Sequence, residues 1–472
     1  MTNTDIKLTK IVATIGPATE TEEMLTKLIQ AGVNVTRFNT KHGTPEWHHE
    51  RILRVRKVAK ELDTAVAVLL DLQGPEIRIN LPDGESFDME KGDKAFFSFN
   101  EDLDKENLII IPESVVKLIE PGQLIITDDG LCHYQAVDTG KDYIVAEALD
   151  SFTVKHRKTM SVPGLVTDMP VLIENDYVQL DGIQDNEVDF VALSFVRNKA
   201  DVLNLREELK KRNLTAGIVA KIENQSAIDN LEEIVEAADA VMIARGDLGV
   251  EVPYEELIHW QRKMIQICRE QAKPVITATH MLETMIENPV PTRAEVSDVA
   301  HAIYDRTDAV MLSGETTIGK YPLKSVEVQA KVAKFNEQYV ETDLQPCAFG
   351  NQTSIAHSAA ALAVSPAAEL DAVVCLTETG KTASLLAKHR PTIPVHVITG
   401  SEEVYRKLAL TFAVIPHLVD WAEHEELLNA DSLIKKLGKV DWLKSGEKVL
   451  VVHGPSWREA GETNTLSIVE VK

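Results

Sequence analysis

The chain is predicted to be an α/β protein built on a (β/α)8, or TIM, barrel, and three observations carry that prediction. Eight short apolar runs recur: Ile11-Val-Ala-Thr-Ile, Val35-Thr-Arg-Phe, Val66-Ala-Val-Leu-Leu, Phe190-Val-Ala-Leu-Ser-Phe, Ile218-Val-Ala-Lys-Ile, Val241-Met-Ile-Ala, Val275-Ile-Thr-Ala and Val310-Met-Leu-Ser. Such near-continuous apolar runs are what parallel strands buried on both faces require. Their starts are separated by 24, 31, 124, 28, 23, 34 and 35 residues, and all but the third step fit one strand and one return helix. Between the runs the apolar spacing becomes helical. A closed barrel and an open doubly wound sheet both accommodate eight such units, and the closed barrel is the usual outcome for eight.

The first return helix is expected behind a capping box at Thr19-Glu-Thr-Glu22, with Leu25, Leu28 and Ile29 on one face and Gly32 as its stop. The second is expected from Thr44-Pro45 to Leu62, with Pro at its first position. The long third step places a small β domain at about 73–162, at the C-terminal end of the third strand. Its runs Leu108-Ile-Ile-Ile-Pro, Gln123-Leu-Ile-Ile-Thr-Asp-Asp-Gly130 and Tyr143-Ile-Val-Ala-Glu are punctuated by Gly, Asp and Pro in the manner of hairpins. The barrel then comprises 1–72 and 163–340. After a linker at 341–350, a new α/β alternation through Ala372-Val-Val-Cys, Pro394-Val-His-Val-Ile and Lys448-Val-Leu-Val-Val gives a C-terminal α/β domain over 350–472.

Composition excludes several functions. Apolar residues make up 44% and charged residues 26% of 472, and no apolar run approaches the ~18 residues of a membrane span. A formal charge of −25 repels a polyphosphate backbone, so nucleic acid is not an expected partner. The first residues show no basic stretch followed by an apolar one, so a cytoplasmic location is expected. Cys132, Cys268, Cys347 and Cys375 lack CxxC spacing and are expected to be reduced, mostly buried thiols.

A barrel of this kind carries its active site at the C-terminal ends of its strands. Those ends present Arg37 and Asn39, then Asp71, Ser194 and Arg197, Lys221 and Glu223, Arg245, Gly246 and Asp247, Thr279, and Ser313 and Glu315. Lys221 and Glu223 are two apart and share a strand face, either as a cation beside a metal carboxylate or as a structural ion pair. Asp247, at the end of the next strand, completes a carboxylate pair of the kind Mg2+ takes with substrate oxygens. Gly246 admits a ligand close to the backbone, or is simply a tight-turn glycine.

Five long blocks, in order, resemble the pyruvate kinase family: Ile218-Val-Ala-Lys-Ile-Glu-Asn224, Met242-Ile-Ala-Arg-Gly-Asp-Leu-Gly249, Ala278-Thr-His-Met-Leu-Glu283, Pro291-Thr-Arg-Ala-Glu295 and Met311-Leu-Ser-Gly-Glu-Thr316. Asp71-Leu-Gln-Gly-Pro-Glu-Ile-Arg78 and the inserted Asp128-Asp-Gly130 are similar too. The resemblance implies a small β-barrel lid over the barrel mouth, and phosphoryl transfer between phosphoenolpyruvate and ADP that yields pyruvate and ATP with Mg2+ (or Mn2+). It implies that Lys221 stabilises the transferring phosphoryl group and the enolate, that Arg37 contacts phosphate, and that Glu223 and Asp247 hold the metal. Thr279 and the Gly246 turn would position substrate, Ser313 would stand near the route of enolate protonation, and His42 and Arg78 would lie near the nucleotide phosphates. A homotetramer is implied as well.

Two stretches depart from the family. Potassium-dependent members read Arg-x-Asn-x-Ser-His-Gly and Asp-Thr-Lys-Gly-Pro-Glu, where this chain has Arg37-Phe-Asn-Thr-Lys-His-Gly43 and Asp71-Leu-Gln-Gly-Pro-Glu76. Asn39 and Asp71 remain of the monovalent-cation site, while Lys41 and Leu72 replace its two hydroxyls. The expectation is that the Lys41 ammonium takes the place of K+ between Asn39 and Asp71; the alternative is a solvated Lys41 beside a weaker K+ site. Asn175 stands where the family usually has Lys.

In the C-terminal domain Thr377, Thr379, Gly380, Lys381 and Thr382 form a strand-to-helix loop able to cradle phosphate, similar to the family's sugar-phosphate effector loop, or an ordinary turn. Gly314-Glu-Thr-Thr-Ile-Gly-Lys-Tyr321 ends in Tyr where a phosphate-binding loop needs Ser or Thr, and is read as accidental. His48-His49 is expected on a solvated helix face. Two other functions remain open from sequence: a Mg2+-dependent lyase or aldolase, and a catalytically weakened regulatory protein.

Overall fold

The computed structural model describes residues 6–184, 187–341, 351–420, 440–454 and 463–472, without the side chains of 351–353 and 366. Cys347 and most of the expected linker lie outside them. The eight apolar runs become β1 (Lys10–Thr14), β2 (Val35–Asn39), β3 (Ala67–Asp71), β4 (Phe190–Leu193), β5 (Gly217–Ile222), β6 (Ala240–Ala244), β7 (Val275–Ala278) and β8 (Ala309–Leu312). They close into a barrel in chain order, each parallel to the next and β8 returning to β1. Closure leaves no exposed edge, which an open sheet would have.

The second helix, Pro45–Glu61, starts behind the Thr44 cap as expected. The first, Glu22–Gln30, is capped by Thr21 and not by Thr19, whose hydroxyl is buried and donates to the Thr316 carbonyl. Two threonines compete for the cap, and the tertiary bond at Thr19 decides between them. His48 and His49 also differ from expectation. His48 is buried edge-on against Phe38 and Trp47, and burial lowers its pKa to about 4. His49 Nδ1 meets Glu187 at 2.6 Å.

Between β3 and β4 the inserted segment forms a six-stranded sheet and a two-stranded sheet around a shared core of residues that include Phe97, Tyr134 and Ile109. The C-terminal unit is a five-stranded sheet, four strands parallel and Thr465–Glu470 antiparallel at its edge. Cys132, Cys268 and Cys375 are buried free thiols. No helix among the described residues is long and apolar enough to cross a membrane.

The barrel's inner residues form one cluster, from Val12 and Val35 round to Ala309 and Met311, that also contains Ala409 and Leu410 of the C-terminal unit. Those two residues therefore stop the end of the barrel opposite the strand C-termini. Polar bonds flank the stopper: Arg406 reaches Asp189 at 2.8 Å, Arg390 reaches Asp308 at 2.5 Å, and the Lys10 ammonium donates to the Val414 carbonyl at 2.6 Å.

Burial lowers the pKa of Lys10 from 10.5 to about 7, aided by neighbouring Lys7 and opposed by Glu337 and Asp308. Lys7 falls to about 8, again through burial. Below about pH 7 Lys10 is charged in both folded and unfolded chains, and the cost of burying that charge is borne in full. Between about 7 and 10.5 the unfolded chain keeps a proton that the folded chain has released, so stability rises with pH. The thermal midpoint of the parent is expected to climb across that window. A Lys10→Met variant should climb measurably less, and an equal slope in both would remove Lys10 as a source.

Candidate active site

The strand C-termini and the inserted sheet enclose a cleft of about 420 Å³, lined from the barrel by Glu223, Gly246, Asp247 and Thr279 and from the insertion by Asp129, Gly130 and Ser161. Register explains what lies beneath it. Asn39 pairs with Asp71 across β2 and β3, and Ala192 of β4 lies on Asp71's other side, so Arg37, Asp71, Ser194 and Lys221 converge from four consecutive strands.

Lys221 is the hub of this group. Its ammonium donates to Ser194 Oγ at 2.7 Å, pairs with Glu223 Oε1 at 2.8 Å and stands 3.4 Å from Asp71 Oδ1. Arg37 Nε holds the other Asp71 oxygen at 2.6 Å, and its Nη1 donates to Thr14 Oγ1. Burial opposes the charge on Lys221, but Asp71, Glu223 and Asp247 together outweigh it and raise its pKa above the usual lysine range. Burial likewise works against Asp71, and Lys221 and Arg37 overcome it to hold the carboxylate ionised. The result is a buried cation fixed in charge and position beneath the cleft.

Glu223 and Asp247 end adjacent strands. Glu223 Oε2 accepts the Phe195 N–H at 2.7 Å, which fixes the carboxylate's orientation. Asp247 is raised to about 6, first by burial and then by repulsion from Glu223, with Lys221 pulling the other way. Glu223 is buried, whereas Asp247 lies among protein atoms but faces the open cleft, and a carboxylate pair so placed suits a divalent cation between them. No group of three or more His, Cys, Asp or Glu side chains able to hold a metal occurs among the described residues, so any ion here would take its remaining ligands from substrate or water.

Thr279 and His280, just past β7, both have left-handed backbones, with φ of 64° and 55°. A β-branched residue there costs on the order of 1–3 kcal/mol and persists where the surroundings demand it. The strain turns Thr279 Oγ1 toward Gly246, whose N–H it accepts at 2.8 Å. Arg245 is buried and bidentate on Asp298, both contacts 2.7 Å, and also donates to the Thr279 carbonyl. Ser313 lies apart from this group: its N–H is held by Glu315, whose other oxygen takes the Leu282 N–H.

Lys41 requires a correction. Its ammonium does not sit between Asn39 and Asp71; it pairs with Glu76 Oε1 at 2.7 Å, while Asn39 Oδ1 accepts the Lys41 backbone N–H. The long side chain reaches past its own turn to the start of the insertion, where Glu76 also pairs with Arg78 at 2.7 Å. Burial works against the Glu76 carboxylate, but Lys41 and Arg78 keep its pKa below the usual range. Neither Glu76 nor its bridging role was read as part of the site, although it closes the motif Asp71–Arg78. His42 is exposed in the same turn. Asn175 joins two loops by donating to the Thr40 carbonyl and to Gln73 Oε1, and Asp176 beside it accepts the N–H groups of Gln73 and Gly74.

In the C-terminal unit Gly380 is left-handed, with φ of 78°, and opens the helix Lys381–Ala387. The N–H groups of Gly380 and Lys381 are met by Thr377 and Thr379 hydroxyls, and Thr382 Oγ1 lies 3.0 Å from Thr463 Oγ1. Lys320 of the other near-motif is paired with Glu287 and carries no loop of this kind.

Comparison with known proteins gives a consistent picture. A family model described as pyruvate kinase, barrel domain, matches residues 6–326, and one described as pyruvate kinase, alpha/beta domain, matches 353–469. The pyruvate kinases of Staphylococcus aureus strains MRSA252 and USA300 are each 41% identical over 483 aligned positions, covering 98% of this chain and 80% of theirs. A crystal structure of a pyruvate kinase from Cryptosporidium parvum superimposes with a TM-score of 0.91 at 31% identity, covering 100% of this chain and 97% of the other.

Proposed function

The chain belongs to the pyruvate kinase family, and on that premise we propose that its barrel mouth moves the phosphoryl group of phosphoenolpyruvate to ADP, giving pyruvate and ATP. The observation that carries this reading is the Lys221 ammonium, held charged among Asp71, Ser194 and Glu223 directly below the paired carboxylates. Phosphoryl transfer asks chiefly for positive charge and positioning around dispersed oxygens, not for a covalent nucleophile.

Lys221 and Arg37 take the phosphoryl oxygens, and Lys221 stays on the enolate oxygen as the phosphoryl group leaves. Glu223 and Asp247 hold Mg2+ (or Mn2+), which when bound supplies a Lewis acid for those same oxygens. Thr279 and the Gly246 turn orient the substrate carboxylate. Ser313 lies on the route by which a proton reaches the enolate carbon. His42 and Arg78 meet the nucleotide phosphates, with Glu76 as the carboxylate that Arg78 leaves to do so. The inserted sheet acts as the lid that keeps water from the donor.

Lys41, paired with Glu76 at the mouth's rim, adds positive charge toward Asp247 without occupying the monovalent-cation position. Thr377, Thr379, Gly380, Lys381 and Thr382 receive a phosphorylated effector. A homotetramer in the cytoplasm completes the proposal.

The test is pyruvate formation from phosphoenolpyruvate, ADP and Mg2+ in buffer whose only monovalent cation is a bulky organic one, repeated with K+. Equal turnover in both is expected, and a Lys41→Ser variant is expected to gain a requirement for K+. Turnover only with K+ would retain the kinase and remove Lys41 from its role. No pyruvate under either condition would overturn the functional assignment itself.

A further inference from the structure

The short helix Arg245–Glu251 touches the lid at one end and the proposed metal site at the other. Its first turn presents Gly246 and Asp247, and buried Arg245 anchors it to the barrel through Asp298 and the carbonyls of Ala278 and Thr279. Its last turn meets the inserted sheet twice. The Glu251 carboxylate accepts the Ser161 hydroxyl from the strand Met160–Ser161. One residue earlier, Val250 lies against Gly130, where a Cβ on that glycine would come 3.5 Å from the Val250 methyl.

The surface of the lid that meets Val250 is itself constrained. Asp128, Asp129 and Gly130 are successive left-handed residues, with φ of 54°, 54° and 97°, a conformation two non-glycine residues hold only when their surroundings fix it. Thr159 Oγ1 donates to Asp129 Oδ1 at 2.8 Å, tying this turn to the chain that runs directly into Ser161. Turn and return strand therefore move as a unit, and both rest on the last two residues of one helix. Burial raises the pKa of Glu251, and the Ser161 hydroxyl works against that shift.

We propose that Glu251 is a positioning residue that clasps the lid's returning strand to the helix presenting Asp247, so that placing the lid and placing Asp247 are one event. The inference rests on the functional reading above. It adds to that reading a residue on the cleft wall, beside Ser161, whose role is to place Asp247. Asp247 and Glu251 are four residues apart and so share one face of this helix, which makes a displacement at Glu251 a displacement beside Asp247. In the proposed cycle, nucleotide that draws the lid inward would pull on Glu251 through Ser161 and seat Asp247 for its ion.

The test compares the parent with Glu251→Ala, Glu251→Gln, Ser161→Ala and the Glu251→Ala/Ser161→Ala pair. Three quantities are measured: kcat and KM, Mn2+ binding without substrate, and deuterium uptake over residues 160–167. Glu251→Ala is expected to lower kcat on the order of tenfold with little change in KM for phosphoenolpyruvate, since misplacement of a group far from the chemistry acts on the assembled complex. It should also weaken Mn2+ binding severalfold and raise uptake over 160–167 without changing uptake in the barrel strands.

Glu251→Gln keeps one acceptor oxygen and should lie between the parent and Glu251→Ala. The double variant should be no worse than the worse single one, because both remove the same link. Raised uptake with unchanged Mn2+ binding would overturn the coupling, as would kinetic losses that add in the double variant. Absence of turnover in the parent would defeat the functional reading alone, because Mn2+ binding and deuterium uptake still decide for or against the clasp.

Discussion

Replacing Lys221 by Met is expected to reduce phosphoryl transfer on the order of 10³-fold or more, the scale seen when a cation at a phosphoryl-transfer centre is removed. That is a barrier increase of about 4 kcal/mol. The side chain is close in volume and leaves little void, so the loss is one of charge. It is a charge the protein goes to some length to fix, since three carboxylates hold it protonated against burial. Loss of the charge alone would leave the fold intact, but the ion pairs add a second effect. Without Lys221, Asp71 keeps Arg37, whereas Glu223 keeps only the Phe195 N–H and faces Asp247 unneutralised. Removing one partner of a buried pair costs roughly 3–5 kcal/mol, so Lys221→Met should also be less stable. Activity measured well below each protein's midpoint separates the two effects. Turnover within tenfold of the parent, in a folded variant, would remove Lys221 from the centre of the mechanism.

Much of this arrangement was legible before any coordinates. The barrel strands announce themselves because residues buried on both faces must be apolar at every position, so their runs stand out and their spacing counts the helices between. The site residues announce themselves by the opposite logic: Lys, Glu, Asp and Arg at the ends of such runs have no place in an apolar interior without partners. What sequence could not show was which partner each one takes. Lys41 has a reach of several ångströms, so both the Asn39–Asp71 gap and Glu76 were within range, and only the path of the chain into the insertion decides for Glu76. His48 looks like one of two polar residues on a helix surface, yet Phe38 and Trp47 close over it. Glu251 gives no signal at all, because its contact to Ser161 depends on how the insertion folds back over the barrel. Position within a run is local information, whereas these pairings span tens of residues.

A stability effect as large is expected at Arg390, which joins the C-terminal unit to the base of the barrel. Its guanidinium uses every face: Nη2 on Asp308 at 2.5 Å, Nε on the Arg306 carbonyl, Nη1 on the Ala387 carbonyl, and its plane over the Phe412 ring at 5.0 Å. Asp308 is equally committed, accepting the N–H groups of Phe412 and Val275 besides Arg390. Arg390→Met would leave Asp308 a buried charge with two amide donors and no paired guanidinium, and would remove one donor each from the Arg306 and Ala387 carbonyls. The expected loss is ~3–5 kcal/mol, read as a lowered midpoint in thermal or urea unfolding. Adding Asp308→Asn removes the unpaired charge while an amide oxygen still accepts one N–H, so the double variant should recover a good part of that loss. If the second change gave no recovery, the cost would lie in lost packing over Phe412 and not in the stranded charge. Exposed pairs such as Lys27 with Glu23 should, by contrast, be removable with little effect on the midpoint. Between Arg390 and the barrel interior stand Ala409 and Leu410, so a variant that loosens this joint also loosens the stopper beneath β3, the strand that ends at Asp71. Lower stability in Arg390→Met should therefore be accompanied by a fall in turnover that the double variant reverses in the same proportion.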